Sequence, residues 1–121
     1  MTFLEIIELT DEREPNQFDT AQKLRWLNEL QERMDRETQY IMEGETTIPQ
    51  SPAATAPFTQ GSHGGAFETE ICIQYLIAQI AAANGETERY NRAVTLFNDR
   101  YAAWLSQLIR RRHGVKRIFS I

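Results

Sequence analysis

The side chains best able to do chemistry in this chain are few and scattered. There are two histidines, His63 and His113, and one cysteine, Cys72. Neither histidine has a second ligand at the spacing that holds a metal ion, and a single thiol adds nothing. Glu68 and Glu70 are two residues apart, which turns them to different sides of a helix. Gly61-Ser62-His63-Gly64-Gly65 is glycine-rich but follows no predicted strand, so it does not read as a phosphate cradle. No G-x-S-x-G, P-loop or dinucleotide fingerprint occurs. His63 reads as a loop residue, and Cys72 as a small apolar residue of a helix. The pattern argues against an enzyme. It calls for no catalytic residue, no cofactor and no metal.

The remaining cluster is basic. Arg110-Arg111-Arg112, followed by His113, closes the last predicted helix, and Lys116 and Arg117 come soon after. Cations at that end favour the negative pole of the helix dipole, which is a sufficient reason for them. The sharper alternative is phosphate contact. Three adjacent arginines fan around a helix, so one copy makes a weak nucleic-acid site. A ring of copies lining a channel would sum them into a positive collar.

Charge is unevenly spread. The net charge is -4. Residues 1–45 carry twelve acidic and five basic side chains, while residues 46–121 carry five acidic and eight basic. Such polarity can orient copies head to tail or bring a basic end to nucleic acid; equally, it describes two solvated surfaces.

The elements that position these residues follow from periodicity. At 121 residues the chain is expected to be one domain with a modest core. Its centre is Cys72 to Leu108, read as two long helices joined at Asn84-Gly85. Tyr90, Val94, Phe97, Tyr101, Trp104, Leu105 and Leu108 recur at steps of three and four, one face of a helix. Their spacing makes these aromatics core residues rather than stacking platforms. Ile73, Leu76, Ile77 and Ile80 form a similar stripe, with Ala78, Ala81, Ala82 and Ala83 packed close to it. Asn84-Gly85 reaches positive φ cheaply, and Glu86, Thr87 and Glu88 suit the start of the next helix. A short join predicts an antiparallel pair.

Upstream, Thr2 can cap a helix from Phe3 to about Thr10, with Phe3, Ile6 and Ile7 on one face. Pro15 and Asn16 mark a turn. A second helix starts at Asp19 or Thr20 and ends near Glu43-Gly44, with Phe18 packing against Lys23 or Leu24. Its apolar face is Leu24, Leu27, Gln31, Met34, Thr38 and Ile41, widened by Trp26 and Leu30. Lys23, Arg25, Glu29, Glu32, Arg33, Arg36 and Glu37 form the other side, where Glu29–Arg33 and Glu32–Arg36 are i,i+4 pairs.

Glu45 to Gly65 holds three of the four prolines and three of the six glycines, and reads as a long irregular loop. Ile48 and Phe58 could anchor it to a core or to a neighbouring subunit. After Arg112 the helix is expected to break at Gly114. Val115, Ile118, Phe119 and Ile121 then form an extended tail that either folds back on its own core or pairs with another strand. The expected class is all-α: a small helical bundle with a long antiparallel hairpin, an irregular loop and an extended C-terminal tail. The divisions are 1–44, 45–66, 67–112 and 113–121. No stretch reads as a membrane span, and the N-terminus lacks the marks of a signal peptide, so a reduced, cytoplasmic setting is the default.

Two stretches resemble a known family. The first is Glu14-Pro15-Asn16-Gln17-Phe18 followed by Lys23 and Trp26-Leu27-Asn28-Glu29. The second is Tyr75-Leu76, Ala78, Ile80, Asn84-Gly85-Glu86, Arg89-Tyr90-Asn91, Phe97-Asn98 and Tyr101. Together they cover well over half of the chain. They look like head–tail connector (adaptor, head-completion) proteins of tailed phages and prophages of Gram-positive bacteria. Thr59 to Phe67 departs from that family's approach to its third helix. The resemblance implies a structural virion protein without enzyme activity or cofactor, located in the virion neck and in the host cytoplasm during assembly. It implies a homo-oligomeric ring, dodecameric on the portal and either assembled or monomeric in solution, that joins the portal to a neck or tail-completion protein. The candidate contacts to subunits, portal or channel DNA are Arg110, Arg111, Arg112, Lys116, Arg117, Ile118, Phe119, Ile48 and Phe58. Two alternatives are a small helical DNA-binding regulator and another phage assembly protein such as a tail chaperone. The apolar face after the Asn84-Gly85 turn and the acidic net charge count against the regulator.

Overall fold

The computed structural model describes the backbone of residues 2–41 and 66–119, and the side chains of 2–41 and 68–110. Four helices make up these residues: α1 (Phe3–Arg13), α2 (Thr20–Ile41), α3 (Ala66–Ala83) and α4 (Thr87–Phe119). No strand occurs among them, and the chain is an all-α helical bundle.

Local chemistry sets the helix ends. Thr2 accepts a hydrogen bond from the Glu5 backbone N–H, and the Glu5 carboxylate accepts from the Thr2 backbone N–H in return. This reciprocal box satisfies two donors that the first turn would otherwise leave unpaired. α1 runs three residues past the expected end at Thr10, because the stop is set by Pro15. Asn16 then closes the turn: its amide donates to the Asp11 carboxylate and the Glu14 carbonyl, and its Oδ1 accepts from the Phe18 N–H. Asp19 caps α2 by accepting from the Gln22 N–H at 2.8 Å. Phe18 meets Trp26 in an edge-on contact at 5.3 Å.

α3 is the central element. It packs against α1, α2 and α4. Ile71, Cys72, Ile73, Leu76, Ile77, Ala78, Ile80 and Ala81 are all buried, so the helix is covered on several sides rather than along one stripe. Ala82 and Ala83, expected to pack, are exposed at its end. Gly85 adopts φ +70 at the joint, the left-handed conformation that ends a helix and that side chains bearing a Cβ resist. Its N–H and that of Glu86 bond back to the Ala82 and Ala81 carbonyls.

α4 faces α3 through Ala93, Phe97, Tyr101, Trp104 and Leu108, all buried. Tyr90, expected on that face, is 39% exposed. α2 runs beside α4 in the same direction. Gln17 donates to the Asn84 side chain at one end, and Arg33 lies over Phe97 and Tyr101 further along.

The expected break at Gly114 and the extended tail from 113 onwards are not found. α4 is continuous to Phe119. One interior glycine costs a helix only about 1 kcal/mol relative to alanine, and the residues around Gly114 continue the helix across it. From the helical rise, α3 is about 27 Å long and α4 about 50 Å, so the second arm of the hairpin far outreaches the first. The irregular loop expected over 45–66 lies outside the described residues, apart from Ala66, which begins α3; so do Glu43 and Gly44, the expected end of α2.

Candidate assembly surface

The candidate contact residues fall into three groups. Arg110 is exposed on α4. Arg111, Arg112, Lys116, Arg117, Ile118 and Phe119 continue the same helix, so they belong to a helical arm and not to an extended tail. Ile48 and Phe58 lie outside the described residues, as does His63.

The described surface is held in shape by ion pairs that tie elements together. Arg13 reaches Glu70 at 3.0 Å, joining the end of α1 to α3. Burial alone would push the Glu70 carboxyl up, but hydrogen bonds from Arg13 and Gln74, with the Arg13 charge, outweigh it and leave the group below its usual value. Arg89 bonds to both Glu14 and Glu86 at 3.1 and 3.2 Å, tying the start of α4 to the turn after α1.

Three features escaped the sequence reading. Lys23, assigned to the polar side of α2, is 3% exposed and bonds to Asp11 at 2.7 Å. It lies four residues before Leu27 on the buried stripe, so its spacing carried the signal and its charge hid it. Asp35, which that reading did not place on the stripe, is buried beside Gln31, which it did, and accepts a hydrogen bond from the Gln31 amide at 2.8 Å. Arg33, expected to pair with Glu29, instead stands over the Tyr101 ring at 4.6 Å and the Phe97 ring at 5.6 Å. A cation over an aromatic face is worth about 0.5–1 kcal/mol at an exposed site, comparable with the surface ion pair it replaces.

Beneath Arg33, rings run in a chain: Tyr75–Phe97, Phe97–Tyr101 and Tyr101–Trp104, at centroid separations of 5.6, 5.3 and 5.3 Å. Burial pushes the Tyr75 and Tyr101 phenols up, Glu29 adds to this at Tyr75, and Arg33 pulls back on both. The aromatics from Phe97 to Trp104 are thus core, as their spacing implied. An open groove of about 330 Å³ runs above them between α2 and the hairpin, with Arg33, Tyr75, Tyr90 and Phe97 in its walls. It holds no nucleophile beside a base.

Burial pushes the Cys72 thiol well above its ordinary range, with Glu68 adding to the effect, so its thiolate is scarce and the group is inert in the folded state. Among the described residues no three His, Cys, Asp or Glu side chains group as a metal site. No described helix is long and apolar enough to cross a membrane.

No family model, no curated protein and no solved structure matches this chain. The geometry and the motif resemblance therefore stand on their own residues.

Proposed function

We propose that this protein is a structural subunit of a tailed-phage or prophage virion, one copy of a homo-oligomeric connector ring between portal and tail. The observation that supports the reading most is the polar build of the molecule. The residues of α1, α2 and their turns are rich in carboxylates. The long arm of the hairpin ends in Arg110, Arg111, Arg112, Lys116 and Arg117 on a continuous helix. A subunit with an acidic body and a basic arm has what head-to-tail packing around a closed axis requires. The motif stretches fit the same picture: Pro15-Asn16 shapes the α1–α2 turn, and Asn84-Gly85 the turn of the hairpin.

In this reading the portal and a neck or tail-completion protein are the partners, and the basic arm faces either a neighbour's carboxylates or channel DNA. The test is mass by light scattering over a concentration series, followed by capture on the phage portal. A discrete species of roughly twelve copies, alone or on the portal, is the expected result. A chain that stays monomeric and is not retained by portal overturns the reading. Retention on a tail component alone would favour the chaperone alternative.

A further inference from the structure

We propose that the arginine-bearing flank of α4 is a docking surface for a second copy of this chain, which presents the glutamate stripe of its own α1. The proposal rests on the reading of the protein as a self-assembling subunit, and names the surfaces that would meet.

On α4, Arg92, Leu96, Arg100, Gln107 and Arg110 recur at helical spacing along one exposed flank, beside the buried face of Ala93, Phe97, Tyr101, Trp104 and Leu108, with the Arg100 charge also acting on Glu70 of α3. All five are exposed, and Leu96 is 38% exposed between two arginines. The acidic neighbour Asp99 lies at the margin and pairs with Arg100 at 3.3 Å on the surface. Arg92 has no ionic partner among the described residues.

On α1, Glu5, Glu8 and Glu12 are exposed at steps of three and four, opposite the buried Phe3, Ile6, Ile7 and Thr10. Glu5 belongs to the Thr2 cap, whereas Glu8 and Glu12 have no partner among the described residues. Arg13, the nearest cation, is turned away to Glu70. Leu9 lies beside the stripe and is half-buried.

The two stripes are opposite in sign and similar in length. From the helical rise, Glu5 to Glu12 covers about 10 Å and Arg92 to Arg100 about 12 Å. They do not meet within one molecule, because α1 packs on α2 and α3 and makes no packing contact with α4. An acidic patch on one side and a basic patch on another form a heterologous contact. Such a contact repeats from copy to copy and closes into a ring when the rotation allows it. Leu96 and Leu9 give the contact an apolar centre, and the charges set its register.

The experiment is sedimentation of the full chain at low and high salt with two charge-reversed variants. One carries Glu8→Arg and Glu12→Arg; the other carries Arg92→Glu and Arg100→Glu. All four positions are exposed, and far-ultraviolet circular dichroism checks that both variants keep the native helicity. Wild-type self-association should weaken as salt rises, since exposed charges are screened beyond about 10 Å at 0.1 M. Each variant alone should associate about tenfold or more weakly, because like charges then face each other. An equimolar mixture should associate again, with the copies alternating. If wild type associates but the mixture does not, the interface is elsewhere. The proposal then falls and the subunit reading stands. If wild type stays monomeric at low salt, the proposal falls, and portal capture alone decides the subunit reading.

Discussion

α3 and α4 are the two arms of one hairpin, yet they are built to opposite rules. α3 is apolar on most of its circumference because three other helices cover it. α4 buries one face and leaves mostly polar and charged residues on the rest, and it runs far past the end of its partner. A helix surrounded by neighbours fixes a fold. A helix with a free flank can present a surface. Under the proposed function, α3 supplies stability and the free flank of α4 the recognition, a division that experiment can break or sharpen.

The largest effect belongs to α3. Leu76 is fully buried, and Leu76→Ala should cost about 2–5 kcal/mol by denaturant unfolding, from lost transfer energy plus the cavity left behind. An exposed change on α4, such as Gln107→Ala, should stay within about 0.5 kcal/mol. Equal costs at the two sites would break the division. At the joint, Gly85→Ala should cost about 1–2 kcal/mol, because the left-handed conformation is strained for alanine even though no atom lies within contact distance of the added Cβ.

Acid should then sharpen the attachment of α1 to α3. The folded-state value of Glu70 is depressed, so the pair with Arg13 stabilises the fold above the usual glutamate range and is lost as pH falls through the folded value. Glu70→Gln should flatten this acid limb of the stability profile and leave the neutral-to-basic limb in place. The smallest effect is on the arm. Gly114→Ala should raise helicity and stabilise by at most about 1 kcal/mol if α4 is one helix, as read by circular dichroism and thermal unfolding. A loss of helicity would restore a break at that glycine.

How far the sequence revealed this fold depended on whether local chemistry or tertiary context decided each point. The hairpin joint was legible because only a residue such as Gly85 takes that φ cheaply. The Asn16 turn and the Thr2 and Asp19 caps were legible for similar local reasons. Three points were not. Lys23 sits on a buried stripe, and only the position of Asp11 in space makes burial of its amine tolerable. Arg33 has Glu29 at i,i+4 spacing in the sequence, and only the packing of α2 beside α4 sets its guanidinium over the Tyr101 ring. Gly114 is a breaker by propensity, but propensity is a weak prior inside a long helix. Of the candidate contact surface, the basic cluster was legible as charge. Its support on a continuous helix was not, nor was the arginine face of α4, whose period appears only against the buried face.

One feature of the packing bears on how the chain reaches this state. The α1–α2 turn and the α3–α4 turn lie together, joined by Gln17 to Asn84 and by Glu14 to Arg89. The most extensive helix pairing is between neighbours in sequence, α3 with α4. Contacts formed between near neighbours need little chain to be gathered before they form. A topology of this kind belongs with the fast folders, in the microsecond-to-millisecond range. Such a chain can fold soon after leaving the ribosome, and under the proposed function its assembly would begin from finished parts.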